Sequence, residues 1–167
     1  MEQTSLQAAT DPLTGLLNRR TVEDRAHELF RQRVPFALSI GDLDHFKALN
    51  DTHGHDAGDR ALRLFARTLQ TTLRDDDVVA RFGGEEFVIL FPGRTMAEAA
   101  AALERVREHL ALAIGAGPVP GFTASFGVSH CDDWTNLDEM LRAADNALFR
   151  AKREGRDRVA VDGLLTS

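Results

Sequence analysis

Apolar residues along the chain recur first at helical and then at alternating spacing, and the changes of period mark the elements. From Asn18, whose side chain suits an N-cap, Val22, Ala26, Leu29 and Phe30 repeat at helical intervals until Val34-Pro35 stops the pattern. Phe36, Leu38 and Ile40 then alternate with Ala37, Ser39 and Gly41, which predicts a strand closing at Asp42. Gly41 weakens that strand but permits close backbone approach. Residues 44–50 suit a short helix, and Asp51 to Gly58 reads as a polar, glycine-punctuated loop. A long helix follows, with Leu62, Phe65, Leu69 and Leu73 on one face, and ends near Arg74 to Asp77. Gly83-Gly84, between Val78 to Phe82 and Phe87 to Phe91, is the clearest hairpin signal in the chain. Thr95 caps a helix whose inward stripe is Ala99, Leu103, Val106 and Leu110, and Gly115 to Gly121 ends it. Phe122, Ala124, Phe126 and Val128 alternate as a fourth strand. A last helix with Leu137, Leu141, Ala144 and Leu148 inward runs toward Gly155, and Arg158 to Val161 adds a short edge strand. Strand, helix, hairpin, helix, strand is the βαββαβ order of ferredoxin-like, palm-type α+β domains, with a central, mainly antiparallel sheet flanked by helices.

Composition narrows the class. A length of 167 residues fits one domain, and 43% hydrophobic with 28% charged residues fits a folded one. Twenty Lys and Arg against 26 Asp and Glu give a net charge of −6, which argues against a nucleic-acid polymer as partner. The single cysteine, Cys131, makes no internal disulfide. No apolar run reaches membrane-spanning length and the N-terminus lacks a signal-peptide layout, so a soluble cytoplasmic domain without membrane contact is expected. Residues 1–10 read as a lead-in or the remnant of a linker to a regulatory domain, 11–161 as the domain proper and 162–167 as a tail.

Asp42 and Asp44 end the first strand, and Glu85 and Glu86 follow the hairpin glycines. In a βαββαβ sheet the first strand is central and neighbours a hairpin strand, so the two acidic clusters can converge and would need a counter-charge. A hard divalent cation completed by substrate phosphates is one reading; acids flanking wet turns is the plainer one. The glycine pair either supplies positive φ or clears side chains so that a nucleotide can lie against the backbone. Lys152 and Arg156, four apart at a helix end, could grip phosphates or merely suit the helix dipole. His53 and His55 lack a third ligand nearby, and Cys131 has only His130 beside it.

Arg81-Phe82-Gly83-Gly84-Glu85-Glu86-Phe87 resembles the GGDEF or GGEEF signature of bacterial diguanylate cyclases, which condense two GTP into cyclic di-GMP with release of two pyrophosphates. The similarity extends in order through Asp11 to Arg20, Asp42 to Asp51, Gly54 to Asp59, Ala124 to Val128 and Ala144 to Arg158. It implies the palm-type fold of nucleotidyl cyclases. It further implies that Asp42, Glu85 and the carbonyl of Leu43 hold magnesium (manganese being possible in its place), and that Glu86 acts as a further ligand or as the base for the 3′-hydroxyl. By the same resemblance Asn50 and Asp59 read guanine, the amides of His45 and Phe46 face the phosphates beside Gly83 and Gly84, and Lys47, Lys152 and Arg156 add positive charge there. Because one domain holds one GTP, a homodimer is implied for catalysis. Arg74-x-x-Asp77, separated from Gly83 by Val78 to Phe82, stands in register with the family's inhibitory site for the cyclic di-GMP product. The alternatives are a non-catalytic domain that senses GTP or cyclic di-GMP, against which the intact Asp42, Glu85 and Glu86 argue, and a cyclase of altered base choice, against which Asp59 argues.

Overall fold

The computed structural model describes residues 9–133 and 136–163; residues 1–8 of the lead-in expected over 1–10 and residues 164–167 of the tail expected over 162–167 lie outside the described residues. Among the described residues the main elements follow in the order α1 (Arg19–Arg31), β1 (Phe36–Leu43), α2 (Phe46–His53), α3 (His55–Thr72), β2 (Val78–Arg81), β3 (Glu86–Pro92), α4 (Met96–Ala116), β4 (Ala124–His130), α5 (Leu137–Arg153) and β5 (Val159–Val161). The sheet order is β2-β3-β1-β4-β5. β1 runs antiparallel to both β3 and β4, β2 antiparallel to β3, and β5 parallel to β4. This is the expected βαββαβ sheet with β1 at its centre and β5 added at an edge.

Helices cover both faces. Ala37, Leu43, Phe87, Ile89, Phe91 and Phe126 pack with Phe65 and Leu69 of α3 and Leu103 and Val106 of α4. Phe36, Leu38, Ile40, Val88 and Leu90 pack with Val22 and Ala26 of α1 and Met140, Ala144 and Leu148 of α5. Burial on two faces explains why all eight residues of β1 are buried although their sequence alternates in size. Each large apolar side chain so buried contributes about 1.5–3 kcal/mol. Among the described residues no helix is long and apolar enough to cross a membrane.

Three expectations need correction. The polar loop expected over 51–58 is helical: α2 runs to His53 and α3 starts at His55, broken only by Gly54 at φ 92°. A single left-handed glycine reverses the chain there without a loop. The fourth strand starts at Ala124 rather than Phe122 and extends to His130, which pairs with Ala37. Phe122 instead packs against the core ahead of the strand. Gly41 admits a side chain rather than a backbone: a Cβ there would lie 2.7 Å from the ring of Phe126, its antiparallel partner, and that ring covers the position.

Helix caps agree with the sequence. Asn18 accepts from the amide of Thr21, and Thr95 and Glu98 form a reciprocal capping box. At Gly127 a Cβ would collide with the backbone of Ala144 and Leu148, so this glycine lets α5 lie directly on β4. That contact sets where the C-terminal end of α5 falls relative to the end of β1.

Candidate active site

Strand register assembles the acidic cluster. Asp42 lies opposite Glu86 on β3 and opposite Ser125 on β4, so the three share one face of the sheet, the face on which α5 packs. Glu85 precedes the first residue of β3, and its carbonyl accepts from the amide of Leu43 at 3.3 Å. Lys152, near the end of α5, brings its ammonium to Asp42 Oδ2. Asp42 is 5% exposed, and its other oxygen, Oδ1, is buried without a hydrogen-bond partner among the described residues.

Electrostatics follow from that crowding. Burial raises the Asp42 carboxyl above its ordinary range, the Lys152 ammonium offsets part of this, and the charge of Asp44 adds to it. Burial and then the charge of Asp42 raise Glu85. Glu86 is raised by burial and by the charges of Asp42 and Asp145. Three carboxylates held against their preference for solvent, one with an unpaired buried oxygen, form a hard-oxygen donor set suited to magnesium or manganese.

Asp44 does not join this cluster. Its carboxylate accepts from Thr123 Oγ1 and Ser125 Oγ, both at 2.7 Å, and from the amide of Asp157 at 3.0 Å. His45 follows in the left-handed region at φ 55° and precedes Phe46, the first residue of α2. Lys47 pairs with Asp51 at 3.0 Å on an exposed face. Asn50 on α2 packs against Gly58 on α3, the residue before Asp59: a Cβ on Gly58 would collide with the Asn50 side chain. Asn50 Oδ1 is another buried acceptor without a partner among the described residues. Arg156 lies in the turn after α5 at φ 62°.

The hairpin glycines resolve one of the two readings left open by the sequence. Neither Gly83 nor Gly84 has positive φ, and a Cβ at either would meet nothing within 4 Å. Conformation therefore does not require glycine, and the open space above the turn is what a side chain would fill. Arg81 holds the turn, donating to the Gly84 carbonyl through Nε and Nη2 at 3.1 and 2.8 Å, and pairs with Asp11 at 3.2 Å. Burial disfavours the Asp11 anion, but hydrogen bonds from Thr14 and the Arg81 charge outweigh it and lower its pKa. The Asp11 to Gly15 turn is thus a buttress for the hairpin, a role the sequence signalled only by a cation just before the glycine pair.

The Arg74 turn lies apart from this cluster and lines a cavity of about 460 Å³ with Arg25 and Gln70. Arg74 is exposed. The Asp77 side chain is 2% exposed, ion-paired to the buried guanidinium of Arg94, and accepts from the amide of Arg74 at 2.9 Å. Arg94 is a partner that sequence reasoning did not identify, since its only signal is a cation in the Pro-Gly-Arg turn after β3.

This combination of a palm-type sheet and an acidic strand end with a glycine hairpin defines a nucleotide-cyclase class of domain. Residues 8–158 match the family described as "Diguanylate cyclase, GGDEF domain", and the chain belongs to that family. It is 39% identical to diguanylate cyclase DgcP of Pseudomonas aeruginosa over 167 residues, covering 96% of this chain and 25% of that protein. Against diguanylate cyclase DgcM of Escherichia coli the identity is 40% over 162 residues, covering 95% of this chain and 39% of that protein. The chain therefore spans between a quarter and two fifths of these curated relatives. Among solved structures, the coiled coil and GGDEF domain of DgcB from Caulobacter crescentus in complex with c-di-GMP aligns with a TM-score of 0.83 at 29% identity, over 96% of this chain and 88% of that one. The active GGEEF domain of a diguanylate cyclase from Vibrio cholerae aligns with a TM-score of 0.78 at 30% identity, over 88% and 97%.

Proposed function

We propose that this domain condenses two GTP molecules into cyclic di-GMP and two pyrophosphates. The observation that carries the reading is the buried Asp42 carboxylate, with one unpartnered oxygen, set beside Glu85 and Glu86 where α5 delivers Lys152. Asp42, Glu85 and the Leu43 carbonyl would hold the divalent cation, which when bound supplies Lewis-acid stabilisation of the transferring phosphoryl group. Asn50 Oδ1 and the Asp59 carboxylate accept from the N1–H and amino edge of guanine, a pattern that adenine lacks. The amides of His45 and Phe46 and the cations Lys47, Lys152 and Arg156 would meet the triphosphate, Lys47 exchanging its exposed pairing with Asp51 and Lys152 its pairing with Asp42 for phosphate oxygens. Glu86 accepts the proton of the 3′-hydroxyl. Each 3′-oxygen forms a bond to the α-phosphorus of the other nucleotide, and the bond to pyrophosphate breaks.

One chain presents one such half-site, so turnover takes two chains face to face. Product inhibition is assigned to the Arg74 turn, where exposed Arg74 meets the ligand and Asp77, fixed by Arg94, holds the turn in shape. Glu86→Gln tests the chemistry: GTP binding is retained while turnover falls by at least about 100-fold. Turnover within a few fold of wild type removes the role given to Glu86.

A further inference from the structure

Asp44 stands two residues after Asp42 in sequence, yet its carboxylate is bonded to a different set of groups. It is 4% exposed and uses both oxygens: Oδ1 accepts from Ser125 Oγ, and Oδ2 accepts from Thr123 Oγ1 and from the amide of Asp157. Its own amide donates to the Thr123 carbonyl at 2.8 Å. The same Asp157 amide also reaches Ser125 Oγ at 3.0 Å.

What this anchors is an unfavourable turn. Gly155, Arg156 and Asp157 lie in succession at φ 125°, 62° and 51°, and two of the three are not glycine. Such a run persists only where neighbours over-determine it. Here Asp157 is held at its amide by Asp44 and Ser125. Its carboxylate is gripped by Arg107 of α4 through Nε at 3.0 Å and Nη2 at 2.9 Å. On the other side of Asp44 lie the Leu43 carbonyl and the left-handed His45, which begins the turn into α2.

We infer that Asp44 is a positioning residue that joins the β1–α2 turn to the α5–β5 turn, so that the backbone amides facing the triphosphate and the cation Arg156 are built as one rigid cradle. This rests on the GTP-binding reading above and deepens it: the carboxylate acts on phosphate affinity without touching the nucleotide. Carboxylate chemistry is required because the Asp157 amide and two hydroxyls all arrive as donors.

The test is equilibrium binding of GTP and of GMP to wild type, Asp44→Asn, Arg156→Ala and the double variant, with melting temperatures measured on the same samples. An amide at position 44 presents a donor where a donor already points. GTP affinity should fall about tenfold while GMP affinity changes less than about twofold, and the loss in the double variant should be smaller than the product of the two single losses. Equal losses for GTP and GMP, or losses that multiply in the double variant, overturn the inference. Should Asp44→Asn fail to fold, Ser125→Ala removes one of the joining hydroxyls with little volume change, and the same pattern is required of it. Wild type that binds no GTP overturns the cyclase reading itself; wild type that binds GTP beside an unaffected Asp44→Asn overturns only the positioning role.

Discussion

Asp42, Glu85 and Glu86 lie closer together than their charges favour, and the direction of their titration makes this testable. All three carboxyl groups are raised, by burial first and by one another's charge next. A carboxyl raised on folding contributes stability that is full below its unfolded value and is lost as pH rises through the folded value. The metal-free domain at neutral pH therefore carries an unfavourable term that a bound cation relieves. Magnesium should raise the melting temperature near pH 7.5, and the increment should shrink as pH falls toward the raised values, in the window just above the ordinary glutamate value of 4.5. An increment that stays constant down to that pH contradicts the assignment, and Asp42→Asn should abolish it throughout. Asp11 has the opposite sign: its lowered carboxyl contributes stability present above 3.8 and lost as pH falls through its folded value. The motif proposed to bind product divides in the same residue-by-residue way. Asp77→Ala strands the buried Arg94 charge and should cost about 3–5 kcal/mol in denaturant unfolding. Arg74→Ala, at an exposed site, should change stability by no more than about 0.5 kcal/mol. Its initial rates should be normal and inhibition by added product lost; inhibition that persists in Arg74→Ala removes the site.

Packing of α5 on β4 decides where Lys152 falls, and Gly127 decides that packing. Gly127→Ala forces a methyl into the Ala144 and Leu148 backbone and should destabilise the domain by about 1–3 kcal/mol. GTP affinity should fall with it as Lys152 moves from the site. Unchanged stability in this variant would show that the helix can back away freely. The sequence made much of this layout legible because each element has its own punctuation: Asn18 and Thr95 cap, Pro35 breaks, and the glycine pair marks the hairpin. Register then followed from fold order, which is why Asp42 and Glu86 could be placed together before any coordinates. The sequence was silent where the deciding contact is made between distant residues. The sequence groups Asp44 with Asp42, whereas Thr123, Ser125 and the Asp157 amide occupy its carboxylate. Arg81 and Arg94 each show only as a cation beside a glycine turn, which does not name Asp11 or Asp77 as the partner. The loop expected over 51–58 failed because one glycine, with φ 92° at Gly54, suffices to join two helices.

At the scale of the molecule, a net charge of −6 hides a division of labour. Acids gather at the strand end, where Lys152 pairs with Asp42, and in the proposed reading Asp59 reads guanine while Lys152 and Arg156 bring cations to the phosphates. One such face completes half a reaction, so specific activity should fall as the protein is diluted below the dimer dissociation constant, and a flat dilution series would show that one chain suffices. The most direct measurement is product identification by mass after incubating concentrated protein with magnesium and GTP, alone and with equal ATP present. The account predicts cyclic di-GMP and pyrophosphate in a 1:2 ratio, with no adenine incorporated. GTP bound but left unconverted at high protein concentration, or a product containing adenine, would contradict it.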